Sequence, residues 1–422
     1  MSGPPRRVRL RAGGVQVLSQ TLRPVLDVAG VAGGVAEALE AVRTRGDDAL
    51  VEGVRRFDCA DFTHDRIRVP DAALARAASA LDPGLRSAIE TAADQVRRVA
   101  EAILPVDRTV RLPAGQSITV RSIPVDAAGC YVPGGRAAYP SSLIMGVVPA
   151  QVAGVGRVVA VSPPGPDGRP AESILATAAL LGIDEVYAAG GAAAIGALAY
   201  GTATIAPVAV VVGPGSPWVQ EAKRQVVGTV GIDGVAGPSE VMVIADASCD
   251  PRALALDLLA QAEHGADSPS VLVSDDPQVI SAVEAELAGL PEGIGPITLV
   301  ECASMPLAIE LAEAFAPEHL EIATRDAAAI ASSITRSGAV FIGPNGATAF
   351  GDYVAGSNHV LPTGGAARHA SALGPTTFLR RMSVVDMTDD AVEALTPHLA
   401  ALADAEGFTM HRRSAEARRR TP

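Results

Sequence analysis

The chain has 422 residues, 48% of them hydrophobic, 19% charged and 3% aromatic, with a formal net charge of -13. That length exceeds what one hydrophobic core serves, and the composition is that of a globular protein of at least two compact units, not a disordered one. The acidic balance argues against a nucleic-acid partner, whose affinity would come from Lys and Arg neutralising phosphates.

The basic runs at residues 6–11 and 418–420 read as solvated tails. The opening MSGPPRRVRLRAGG has charge but no following apolar stretch, so it is not a secretory signal, and no apolar run of about 18 residues offers a membrane span. Cys59, Cys130, Cys249 and Cys302 are scattered without a CxxC pair, which argues against a disulfide framework or thiolate zinc site and fits a reducing compartment. A cytoplasmic protein with no membrane partner is expected.

Residues 24–105 place apolar side chains at helical spacing, as in 35–45 and 82–103. From 108 to 125 the pattern turns β-branched with turn signals, predicting a hairpin or two short strands. Between 131 and 240, strands (VVAVSP, EVYAAGG, VAVVVGPG) alternate with helices (AESILATAALLG, AAAIGALAYG, SPWVQEAKRQV). Continuous apolar strands joined through helices indicate a parallel sheet covered on both faces. The alternation resumes with a strand at 241–245, a helix at 251–263 and a strand at 271–273.

The predicted fold is therefore α/β, with two incomplete parallel-sheet domains of Rossmann-like kind plus small N- and C-terminal segments. Residues 1–23 form the N-terminal segment, 24–130 with 241–378 a first, discontinuous domain, 131–240 a second, and 379–422 a helical tail. Ligands of open α/β sheets bind at the carboxyl ends of strands, so Gly190, Gly191 and Gly213–Gly215 are candidate phosphate or dinucleotide contacts. The GxGxxG fingerprint is absent, and plain turn chemistry explains these glycines equally well.

Only seven histidines occur, and four sit in short polar runs: QAEHG (His264), PEHLE (His319), GDYVAGSNHV (His359) and GFTMH (His411). Gln261 and His264, three apart at a helix end, share a face and could share a metal; a histidine at a helix terminus beside a surface glutamine is the plain alternative. Asp352 and His411 lie among small or turn-forming residues, where a polar side chain has no core role; a turn aspartate and a surface histidine are the alternatives. Glu318 and His319 are adjacent and could serve two proton transfers on one substrate, although Pro317–Glu318 also reads as a helix start.

Taken together, GIDGVAGPSEVMVIAD (231–246), QAEHG, YVPGG (131–135), PEHLE, GDYVAGSNHVLPT and the distal histidine resemble the motifs of histidinol dehydrogenases, over most of the chain. The resemblance implies a zinc- and NAD-dependent enzyme that oxidises L-histidinol through histidinal to L-histidine with two NAD in succession. It implies zinc ligands Gln261, His264, Asp352 and His411, with the metal orienting the substrate. His319 would accept the alcohol proton and Glu318 would activate water. Ser239, Gln261, His264, His319, Asp352, His359, Glu406 and His411 match substrate-contacting positions. Tyr131, Ala193 and Ser216 match NAD-contacting ones, which puts NAD on the second domain. The tail bearing Glu406 and His411 would cross to a partner, implying a homodimer.

Two positions depart from that pattern. The family usually carries Gln and Asn where this chain has Ala193 and Ser216. At about 0.5 to 1.5 kcal/mol per lost hydrogen bond, NAD binding would weaken by about one to two orders of magnitude. Trp218, the single tryptophan, could compensate by stacking. The alternatives are a related zinc- and NAD-dependent dehydrogenase of another small alcohol, and a non-catalytic zinc- or ligand-binding protein, against which the intact Glu318 and His319 argue.

Overall fold

The computed structural model describes residues 5–24, 29–134, 137–289 and 293–420; Gly135 of the YVPGG run and the start of the 24–105 helical stretch, residues 25–28, lie outside them. In chain order the strands are β1 (Arg6–Leu10), β2 (Arg108–Arg111), β3 (Ser117–Pro124), β4 (Ala127–Tyr131), β5 (Arg157–Ser162), β6 (Val186–Ala188) and β7 (Val210–Val212). They continue with β8 (Gly231–Ile232), β9 (Val241–Ala245), β10 (Ser270–Ser274), β11 (Ile297–Cys302), β12 (His319–Ala323), β13 (Ala339–Ile342) and β14 (Leu379–Asp386).

Two sheets are wholly parallel. One has the order β6-β5-β4-β7-β8 and the other β1-β11-β10-β9-β12-β13. Strands β4, β9, β10 and β12 are buried along their whole length, which is why β9 (VMVIA) reads as an unbroken apolar run instead of an alternating one, whereas β12 (HLEIA) carries His319 and Glu321 into the buried layer. The fold class expected from the alternation of strands and helices is the one observed.

Helices between residues 32 and 102 cover both faces of the five-stranded sheet. Val35, Leu39, Leu50 and Val54 pack with Ile195, Leu198 and Val219 on one face, and Ile89, Ala92 and Val96 pack with Ile144 and Val148 on the other. This differs from the grouping of 24–130 with 241–378: periodicity marks a helix's apolar stripe but not the sheet that receives it. The six-stranded sheet is covered by its own helices, Leu254 and Leu258 lying with Val241, Val243 and Leu272, and Leu311 and Phe315 with Met242, Ile244 and Leu320.

Both basic runs are ordered. Residues 6–10 are the edge strand β1, where Leu10 is buried and Arg7 and Arg9 pair with Glu301 on β11 at 3.3 and 2.8 Å. Two apolar residues among arginines give too weak an alternation to announce such a strand. Arg419 and Arg420 pair with Glu393 and with Asp389 and Asp390 at 2.9 and 3.3 Å.

The 108–125 hairpin is present as β2 and β3, and β14 joins it antiparallel, Leu379 opposite Pro124 and Asp386 opposite Ser117. The tail is thus not helical throughout. Its first eight residues form a strand, and the helices Asp389–Ala405 and Thr409–Glu416 follow. No helix among the described residues is long and apolar enough to cross a membrane.

Candidate active site

The polar cluster forms at the amino-terminal ends of β9 and β12, which start in register with Val241 opposite His319. Helix Pro251–Ala262 begins at a cap in which Asp250 accepts from the Arg252 amide, and as a crossover between parallel strands it returns to that same edge, delivering Gln261. The helix stops one residue later. His264 sits in the following turn, its amide donating to the Gln261 carbonyl at 3.2 Å, before Gly265 at φ 147°. The short helix Thr348–Tyr353 likewise returns after β13 and carries Asp352.

The carboxylate of Glu318 is held on one oxygen. Oε2 accepts from the Ser239 hydroxyl at 2.6 Å and from the Glu240 amide at 2.9 Å. The Ser239 hydroxyl is also 3.4 Å from Gln261 Oε1, while Gln261 Nε2, buried, has no hydrogen-bond partner. His319 lies between two carboxylates, Nδ1 at 3.4 Å from Glu318 Oε2 and Nε2 at 3.4 Å from Asp352 Oδ1. Burial opposes charge on this imidazole, but Glu318 and Asp352 outweigh it and push its pKa up to about 10. Burial also raises the Asp352 carboxyl, and here His319, with His359 and His264 adding their fields, prevails and holds it below the usual carboxylate range.

His359 completes the group. Its Nδ1 donates to the Asp352 carbonyl at 2.8 Å, and its Nε2 is 3.4 Å from the hydroxyl of Ser142, in the first turn of helix Pro140–Ala153. Burial lowers its pKa. Helix Pro140–Ala153 is the first after β4, so the amino edge of the six-stranded sheet meets the start of a helix that covers the five-stranded sheet.

The glycine turns do lie at carboxyl ends of strands. Gly190 and Gly191 follow β6 and open helix Gly191–Tyr200, and Gly213–Gly215 follow β7 before helix Pro217–Val226. Tyr131 ends β4, its hydroxyl accepting from the Gly191 amide at 3.3 Å and its pKa pushed up to about 12 by burial. Ala193 occupies the first turn of its helix, and Ser216 is an exposed N-cap whose side chain makes no cap bond. Trp218 is 43% exposed, with one ring edge packed on Gly34 of helix Ala32–Arg45.

Thus Ser239, Gln261, Glu318, His319, Asp352 and His359 come together, with His264 near enough to act on Asp352. Glu406 and His411 do not join them within this chain. Both are exposed and line a groove of about 1410 Å³ between the two tail helices, where the His411 ring is 5.1 Å from that of Phe408. Accordingly, no group of three or more His, Cys, Asp or Glu is disposed to hold a metal among the described residues. Glu318 does not start a helix, since His319 opens β12. Sequence reasoning missed Glu240, whose amide holds Glu318; its only signal was adjacency to Ser239. Ser142, from a segment 217 residues away from His359, gave none.

A buried carboxylate and imidazole side by side where two parallel-sheet layers meet are groups of the kind that α/β enzymes use to exchange protons. The sequence model of histidinol dehydrogenase matches residues 21–419. Histidinol dehydrogenase of Thermobifida fusca is 43% identical over 98% of this chain and 97% of its own, and that of Rhizobium meliloti 44% identical over 90% of both. The crystal structure of histidinol dehydrogenase from Elizabethkingia anophelis superimposes with a TM-score of 0.93 at 30% identity, covering 98% of each chain. The chain belongs to the histidinol dehydrogenase family and is an oxidoreductase.

Proposed function

We propose that the chain catalyses the four-electron oxidation of L-histidinol through histidinal to L-histidine, in the last steps of histidine biosynthesis, using NAD and zinc as a cytoplasmic homodimer. The observation that carries this reading is the Glu318–His319 pair set beside Asp352, in a chain of this family.

The donors present fit a zinc ion. Gln261 brings a buried amide with an unpartnered nitrogen, which can turn to offer its oxygen, His264 an exposed imidazole and Asp352 a carboxylate, a nitrogen and oxygen set of the borderline kind zinc accepts. His411 is then the fourth ligand, supplied by a second copy of the chain. The tail that carries it exposes Leu402, Met410 and Phe408 at 67%, 66% and 53%, apolar surface that a partner would cover. When bound, the metal orients the substrate and NAD takes the hydrides.

The chain's own residues handle the protons. His319 accepts the alcohol proton at Nε2, the nitrogen facing Asp352. Glu318 and the bare Asp352 carboxylate together hold its pKa up, and a cation held on Asp352 would remove the second of these attractions and leave the first. Glu318, fastened through Oε2, keeps Oε1 to take a proton from the water that adds to the aldehyde. Ser239, His359 and Glu406 would contact substrate, and Tyr131, Ala193 and Ser216 would face NAD at the positive ends of the two helices after β6 and β7.

The test is purified protein with zinc, NAD and L-histidinol, following NADH and histidine. About two NADH per histidine is the expected stoichiometry, from two successive hydride transfers. Turnover only with another small alcohol, or zinc binding without any NADH, would overturn the reading in favour of a different substrate or a non-catalytic role.

A further inference from the structure

Arg23, in the segment after helix Val15–Thr21, is tied to both chain stretches that supply the proton-transfer pair. Its Nε and Nη2 fork onto the Glu240 carboxylate at 2.6 and 2.7 Å, and Nη2 also donates to the carbonyls of Phe315 and Ala316 at 2.6 and 3.3 Å. The guanidinium lies 3.7 Å over the centre of the Phe315 ring. The Glu240 side chain is only 2% exposed, so this fork is its charge partner in a nearly dry place.

What Arg23 fastens is the backbone on which the pair rests. The Glu240 amide donates to Glu318 Oε2 at 2.9 Å, and the Glu240 carbonyl accepts from the His319 amide at 3.2 Å and lies 3.4 Å from His319 Nδ1. Ala316, two residues before Glu318, is the one non-glycine residue with positive φ among the described residues, at 52°. A left-handed alanine persists only where its surroundings hold it, and the Arg23 bond to its carbonyl is one such hold.

We propose that Arg23 is a positioning residue that fixes the Glu318–His319 pair through Glu240 and the 315–316 carbonyls. This rests on reading that pair as the catalytic acid and base. A planar fork with several fixed donors serves two oxygens of a carboxylate and two carbonyls at once, which a lysine ammonium cannot match in geometry.

The experiment compares Arg23→Lys, Arg23→Met and the double variant Arg23→Met/Glu240→Gln, each with zinc, for kcat, for KM of L-histidinol and for the urea midpoint. Sub-ångström displacement of reacting groups predicts a kcat loss of about tenfold to a hundredfold with KM changed by less than about twofold. The double variant carries no unpaired buried charge, so its urea midpoint recovers while its kcat stays low. Guanidinium at millimolar concentration partly restores kcat in Arg23→Met. If kcat of the folded single variants is unchanged, or returns to the wild-type value with stability in the double variant, Arg23 only stabilises the fold and the proposal is overturned. Glu318→Gln and His319→Asn run in the same assay separate the two levels, because full activity in those variants refutes the acid–base reading itself.

Discussion

Replacing Glu321 by glutamine makes the protein more resistant to unfolding as pH rises, and the size of the gain follows from the structure. Glu321 is 3% exposed on β12, its Oε2 has no hydrogen-bond partner, and it faces Asp257 of helix Pro251–Ala262. Burial first and the Asp257 charge second push its pKa up to about 9 from an ordinary 4.5. With the folded value raised, the stability tied to the protonated carboxyl is fully present below the unfolded pKa and is lost progressively as pH climbs towards 9. The slope is about 1.4 kcal/mol per pH unit, so the wild-type chain has given up on the order of 3 kcal/mol by pH 7. Glutamine keeps a neutral amide of the same shape at every pH. Urea midpoints followed by fluorescence of Trp218 between about pH 5 and 8.5 should therefore lie close together at the acidic end and separate steadily, the variant being the more stable. A gap that stays constant, or narrows with rising pH, refutes the assignment of a retained proton to Glu321.

Three further outcomes are expected. Gly213→Ala places a Cβ 2.1 Å from the Tyr131 carbonyl at φ 120°, in a turn whose amide donates to Asp233 at 2.7 Å and whose carbonyl accepts from Lys223 at 2.9 Å. A scan should show a lower Tm, by a backbone strain on the order of 1 to 3 kcal/mol with the cost of displacing the Tyr131 carbonyl added to it, together with a raised KM for NAD. Ala193→Gln with Ser216→Asn restores two polar side chains at the starts of helices Gly191–Tyr200 and Pro217–Val226, and should lower KM for NAD by about one to two orders of magnitude, read by initial rates. Finally, His319→Ala and His411→Ala are each expected to abolish turnover, whereas unfolding and refolding them as an equal mixture should return about a quarter of wild-type activity, since half of the dimers are mixed and one of their two sites is intact. Mixing that restores nothing would place His411 at the active site of its own chain or remove it from the site.

The sequence by itself determined much of the local structure, though not strands β1 and β14. The apolar runs at Val241–Ala245 and Val210–Val212, short and alternating with helices, read as strands covered on both faces, Asp250–Pro251 opened a helix, and the β-branched stretch near 108–125 closed into a hairpin. Ordered motifs also named nearly every side chain of the candidate site, because Glu318 and His319, or Gln261 and His264, lie within a few residues of each other. Tertiary structure decided what each element meets. It seated the helices of residues 32–102 on the five-stranded sheet, paired β1 and β14 into sheets, and gathered the site at the amino-terminal edge of β9 and β12 instead of their carboxyl ends. Hydrophobic periodicity records that a face must be buried and nothing about its partner. Contacts such as Arg23 with Glu240, 217 residues apart, exist only once the intervening chain has closed, and their strength comes from the exclusion of water that closure brings.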